Sequence, residues 1–219
     1  MGICTPIHDN KKCNILLDLD MTLIESSNPD EIDMNDVKVK AKLQGFDFKN
    51  MDDVYVVVGR PGLQKFLDFL FENFNVSVWT AASKDYALFI IDHFMLTDKS
   101  RELDFVLFDH HCDISEDKVG EIKKISLLWS LFNMAGYTRS NTLIIDDNIE
   151  DVYSHQPSSV VKCPQFVFSD NNSENDDYFD RLMPLLLRFK NECDMSCERD
   201  ISGDHGPGPA GIINRLLAG

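Results

Sequence analysis

Residues 14–24, NILLDLDMTLI, form an apolar run that stops abruptly at two aspartates, Asp18 and Asp20, followed by Thr22. Ile15 to Leu17 has the length and bounding of a buried parallel strand, so both carboxylates fall at its C-terminal edge, where open α/β sheets place ligands. Two carboxylates two residues apart in a partly dry site are costly to ionise together unless a cation sits between them. Mg²⁺ suits the position, because it takes hard oxygen ligands, keeps several waters and binds through one or two carboxylates plus substrate phosphate. The segment points to phosphate transfer. On its own it also reads as a strand ending in a solvated turn, since Asp and Thr are ordinary turn residues.

The pattern recurs further along. Thr142 to Ile145 is a second apolar strand, ending in Asp146-Asp147-Asn148, and Val76 to Trp79 is a third, ending in Thr80-Ala81-Ala82-Ser83. Two independent strands closing on paired acids weaken the turn reading. Leu103–Phe108 and Val160–Phe168 read as further strands, the latter interrupted by Pro164. Helical spacing covers 63–73, 84–94 and 122–134, with Lys123 and Lys124 in the first turn of the last, where cations oppose the helix dipole unless an anion is near. A closing helix spans Tyr178–Phe189, with Pro184 expected to kink it or delay its start. Glu25–Asp36 and Asp109–Val119 read as polar loops. Val37–Leu43 alternates like an exposed strand, Gly45 turns the chain back, and Val54–Val58 follows, so a small β-meander is expected beside the first strand. Alternating strands and helices imply right-handed crossovers that bring all the strands' C-terminal ends to one edge. Asp18, Asp20, Thr80, Lys123, Asp146 and Asp147 would then share a cleft holding a nucleophile, an acid/base, a hydroxyl, a cation and metal ligands, an inventory for phosphoryl transfer.

With 219 residues, 43% of them hydrophobic, the chain can bury one substantial core. The expected organisation is an N-terminal arm at 1–13, a domain at 14–192 and a flexible Gly/Pro-containing tail at 193–219 whose apolar end, Ile212 to Leu217, docks on something. A net charge of −16 argues against direct nucleic-acid binding, which needs clustered Lys and Arg. The six cysteines are scattered and read as reduced intracellular thiols; Cys193 and Cys197 lack a second pair to complete a zinc site. No apolar run is long enough to span a bilayer, so a soluble intracellular protein is expected, in nucleus or cytoplasm.

The segments DLDMTLIESS (18–27), GRPGLQKFL (59–67), VWTAASKDYA (78–87), IKKISLLW (122–129), LIIDDN (143–148) and HQP (155–157), in this order, resemble the haloacid dehalogenase superfamily of aspartate-nucleophile phosphatases. More narrowly, they resemble the RNA polymerase II C-terminal-domain phosphatase-like branch. The resemblance covers about residues 14–192. It implies an α/β fold with a parallel sheet flanked by helices, a small insert and no large cap domain, and a Mg²⁺-dependent phosphatase acting on a phosphorylated serine or threonine of a protein or peptide tail. It assigns Asp18 as nucleophile, Asp20 as acid and then base, Thr80 as phosphoryl hydroxyl donor and Lys123, in preference to Lys124, as the charge-stabilising lysine. Mg²⁺ would take Asp18, the backbone carbonyl of Asp20 and Asp147, with Asp146 as ligand or neighbour. Two departures stand out: Met21 where many relatives have glutamate, and Asp109, in LFDHHC (107–112), where arginine is usual. The alternatives are a small-molecule or nucleic-acid-end phosphatase and a non-catalytic phosphopeptide-binding adaptor.

Overall fold

The computed structural model describes residues 13–28, 31–196 and 208–218. In chain order, β1 (Asn14–Leu17) is followed by β2 (Ile24–Ser27), α1 (Val37–Leu43), β3 (Phe48–Met51), β4 (Tyr55–Gly59) and α2 (Leu63–Asn73). Then come β5 (Asn75–Trp79), α3 (Lys84–Ile90), β6 (Val106–Leu107), α4 (Asp109–Val119) and α5 (Leu127–Ser130). The remainder is β7 (Thr142–Asp146), β8 (Val160–Lys162), α6 (Tyr178–Ser196) and α7 (Pro209–Leu217).

Five strands form a parallel sheet in the order β6-β5-β1-β7-β8. β1 is central, and the apolar run Ile15–Leu17 follows from burial on both faces. Ile15 and Leu17 join one core cluster with Leu67, Leu70, Leu182 and Leu186 of α2 and α6, where Phe66 stacks on Phe179 at 4.2 Å. Leu16 points to the other layer, with Trp79, Ile144, Ile125 and Leu128. Register then places the site: Leu17 pairs with Val78 and with Ile145, so Asp18, Thr80 and Asp146 leave the same edge of neighbouring strands. The crossovers from β1 go to β5 on one side and, later, to β7 on the other, so this edge is a topological switch point, where such sheets bind ligands.

The insert is a three-stranded antiparallel sheet in the order β2-β4-β3. Its strands differ from those expected. Ile24–Ser27, partly read as loop, is a strand, whereas the alternating Val37–Leu43 is the helix α1, with Asp36 Oδ1 accepting from Lys38 N–H at 2.7 Å. Only Leu43 of that helix is buried, so its alternation had no sheet face to serve. Asp109–Val119, expected as a loop, is the helix α4, which buries only Cys112 and Ser115 and so shows no strong apolar stripe. The helix expected over 122–134 shrinks to α5; Lys123 lies in a turn before it with φ 49°, outside the helical region. Leu103–Phe108 and Val160–Phe168 contribute only β6 and β8, the latter ending before Pro164, which has no N–H for a ladder. Past Ile90 the 84–94 helix widens into an i→i+5 turn, Leu96 N–H donating to Ile91 C=O. α6 keeps Pro184 inside it and starts at Tyr178 without delay.

Of the expected tail, residues 197–207 and 219 lie outside the described residues, as do residues 1–12 of the expected arm. Pro209–Leu217 is the helix α7, which buries Ala210 and Ile213 against α6 and β8. Its Asn214 completes the sheet: Oδ1 accepts from Lys162 N–H and Nδ2 donates to Val160 C=O, both at 2.8 Å, on the outer edge of β8. Gly208 lets the helix approach, because a Cβ there would lie 2.6 Å from Cβ of Ser158.

Candidate active site

A cleft of about 890 Å³ opens at the C-terminal edge of the parallel sheet, lined by Asp18, Asp20, Thr80, Lys123, Asp146 and Asp147 together with their loops. All the residues expected to converge do so. Lys123 Nζ lies 2.5 Å from Asp18 Oδ1 and 2.8 Å from Asp146 Oδ2, with all three side chains almost fully buried. Lys124 turns away, to Glu121 and to the carbonyl of His155.

The turn that aims Lys123 is held from behind. Gln156, buried, donates through Nε2 to Lys123 C=O at 2.8 Å and accepts at Oε1 from Ile125 N–H at 3.1 Å, while Ser115 Oγ accepts from Lys124 N–H at 3.0 Å. These bonds satisfy backbone groups that a helix would otherwise have paired, which explains how a positive φ is sustained at a lysine. Burial alone would pull the Lys123 ammonium's pKa down; Asp18 and Asp146 outweigh that and raise it, so the group stays charged. For the Asp18 carboxyl, burial is the dominant influence and pushes it up to about 8; Lys123 opposes the shift and Asp146 adds to it.

One lysine thus faces three acids. Oxygen atoms of Asp18, Asp146 and Asp147 lie within 4.8 Å of one another, a hard-oxygen donor set with the composition Mg²⁺ prefers. The set is oriented from outside: Asp147 accepts from Thr22 Oγ1 at 3.2 Å and from Gln165 Nε2 at 2.9 Å, and Asp146 Oδ1 accepts from Asn148 N–H at 2.8 Å.

The Asp20 carboxylate is not part of that acid cluster. Its Oδ1 accepts from the Tyr86 hydroxyl at 2.5 Å and from Ser26 Oγ at 3.4 Å. Burial raises its pKa, and the Tyr86 and Ser26 hydrogen bonds work against the rise. Thr80, also buried, accepts from Ala82 N–H at Oγ1 at 3.1 Å, leaving its hydroxyl proton for another acceptor. Cys163 lines the cleft too, but burial pushes its thiol up to about 12, which keeps it a neutral wall. Tyr86, Gln156 and Gln165 were missed as site residues by sequence reasoning. Tyr86 stands within the quoted VWTAASKDYA and Gln156 within HQP, but nothing local to either says which partner it meets.

Arg60 was missed for a similar reason. Buried to 2% exposure, it pairs with Asp176 through Nε and a terminal nitrogen and donates to the carbonyls of Thr22 and Pro164. It ties the loop after β1 to the loop after β8 and the start of α6.

A sequence profile of NLI interacting factor-like phosphatases matches residues 13–196. The chain belongs to that family. Among similar proteins, one named as a CTD phosphatase-like protein 355R, of invertebrate iridescent virus 6, is 46% identical over 183 residues, covering 81% of this chain and 99% of the viral one. Its namesake in invertebrate iridescent virus 3 is 36% identical over 197 residues, covering 84% and 100%. In fold the chain is similar to a variant of the fission yeast RNA polymerase II CTD phosphatase Fcp1 bound to beryllium fluoride, with a TM-score of 0.61 at 20% identity, covering 93% of this chain and 70% of that one. Membership of that family identifies the chain as phosphatase-like, and the likeness to Fcp1 is one of fold. Among the described residues no helix is long and apolar enough to cross a membrane.

Proposed function

We propose that the protein is a Mg²⁺-dependent phosphoprotein phosphatase that cleaves phosphoserine or phosphothreonine through an aspartyl-phosphate. The observation that carries this reading is the pairing of two differently treated carboxylates two residues apart: Asp18 against Lys123 and the acid cluster, Asp20 against Tyr86 and Ser26. Environments that separate two acids in this way assign their roles. Asp18 attacks phosphorus, and its carboxylate forms the new bond to phosphoryl while the P–O bond to the serine or threonine breaks. Asp20, whose carboxyl is shifted toward the protonated form by burial, gives its proton to the departing oxygen and, then ionised, takes one from the water that hydrolyses the intermediate. Lys123 and Thr80 supply positive charge and a hydrogen bond to the phosphoryl oxygens as charge develops there.

Asp18, Asp146 and Asp147, with the Asp20 carbonyl, would hold Mg²⁺. Bound there, the ion neutralises the acid cluster and polarises a phosphoryl oxygen. The cleft's breadth suits a phosphorylated peptide side chain entering from a surface. Hydrolysis of an aryl phosphate and of phosphoserine peptides, with and without Mg²⁺, tests the reading in wild type and Asp18→Asn. Mg²⁺-dependent release that disappears in Asp18→Asn is expected. Folded protein without phosphate release from any substrate would move the reading to a phosphopeptide-binding adaptor.

A further inference from the structure

A second cleft, of about 700 Å³, lies behind the lysine turn. Lys124, Arg139, Arg215 and His155 are among its walls, with Trp129 and Tyr153 as aromatic surface, and none of the described residues that line it is a carboxylate. In a chain with 37 acidic and 21 basic side chains this is an anomaly. The catalytic cleft is the reverse, lined by Asp18, Asp20, Asp146, Asp147 and Glu150 against Lys123. Arg139 and Arg215 are exposed and make no ion pair among the described residues, and Ser158 and Ser159 add hydroxyls. Glu121, paired with Lys124, sits beside the cleft, and among the described residues no carboxylate pairs with either arginine.

The two clefts adjoin. The turn at 122–126 and the segment 148–156, whose Ile149–Tyr153 is a short helical turn, line both: Ile122, Lys123, Asn148 and Ile149 on the catalytic side, Lys124, Ile125, Tyr153 and His155 on the other. Consecutive lysines therefore serve opposite sides of one turn. Arginine forks match phosphate oxygens in pairs, and a phosphate dianion is a ligand well served by the two arginines beside hydroxyls.

Resting on the phosphatase reading above, we propose that this cleft holds a second phosphorylated residue of the same peptide whose scissile phosphate lies at Asp18. The enzyme then prefers multiply phosphorylated substrates. Two linked phosphates bind as a bivalent ligand, and the gain depends on their spacing matching the distance between clefts.

The test measures binding of labelled phosphoserine peptides to Asp18→Asn and, in parallel, to wild type in excess chelator. A second phosphoserine is moved one residue at a time in either direction. At one spacing the doubly phosphorylated peptide is expected to bind on the order of tenfold more tightly than the singly phosphorylated one. That ratio is expected to fall to about one in the Arg139→Ala/Arg215→Ala protein, and to shrink with added salt. No advantage at any spacing, or an advantage that survives the double substitution, overturns the proposal. So does inorganic phosphate raising the affinity of the singly phosphorylated peptide as the tethered group does, since the cleft would then be a site for free anion. Failure of the phosphatase reading shows separately, as absent aryl phosphate hydrolysis by wild type, and leaves the affinity ratio readable.

Discussion

Asp18, Lys123 and Asp20 respond to different chemistry, and substitution separates them. Asp18→Asn is expected to lower turnover by several orders of magnitude with the fold kept, since shape is conserved and one buried charge is removed; unchanged turnover would displace Asp18 as nucleophile. Lys123→Ala is expected to cost on the order of 10²-fold or more in kcat, the scale of losing a preorganised charge-stabilising donor. Tyr86→Phe acts on pH dependence. The Tyr86 hydrogen bond pulls the raised Asp20 pKa downward, so its removal raises that pKa further. The protonated acid then persists to higher pH, and the alkaline fall in kcat/KM for a phosphoserine peptide is expected to move upward; a pH–rate profile with an unmoved alkaline limb would show that the contact does not act on Asp20. Asp18, Asp20, Thr80, Asp146 and Asp147 were legible in the sequence because each terminates an apolar strand, and strand ends share an edge. Tyr86 and Gln156 were not, because their partners lie 66 and 33 residues away and no local pattern encodes such pairings.

At the level of elements, the central strands could be read because both faces of β1, β5 and β7 are buried and their sequences are mainly apolar, with Asn14, Ser77 and Thr142 among the buried polar exceptions. Peripheral elements obey weaker rules. α1 and α4 each bury one or two residues, so capping by Asp36 and the left-handed Gly120 at the end of α4 define them rather than periodicity. The lysine turn is set by tertiary bonds from Ser115 and Gln156, which override a helical pattern that was present in the sequence. Arg60 is a buried tie between elements. Arg60→Ala leaves Asp176 and two loop carbonyls without their partner, and a loss of about 3–5 kcal/mol is expected. A lowered urea midpoint with an unchanged m-value would report it.

For the molecule as a whole, the proposed Mg²⁺ site at the acid cluster predicts that stability depends on the cation. If Mg²⁺ binds the folded state as proposed, wild type is expected to melt at higher temperature with Mg²⁺, by a gain of about 2.7 kcal/mol at a hundredfold excess over Kd. In Asp18→Asn the gain is expected to be smaller; equal shifts measured by calorimetry in the two proteins would place the ion elsewhere. Asn214, whose side chain pairs with the outer edge of β8, bears on a different matter, the order in which the chain is made. Lys162 and Asn214 are 52 residues apart, which at ribosomal speed is roughly 3–10 s. During that interval β8 has been synthesised and its cover has not, so each nascent chain presents an open strand to its neighbours on the same message. Crowded polysomes, rather than the finished protein in dilute solution, are therefore where this fold is most exposed to strand-to-strand association.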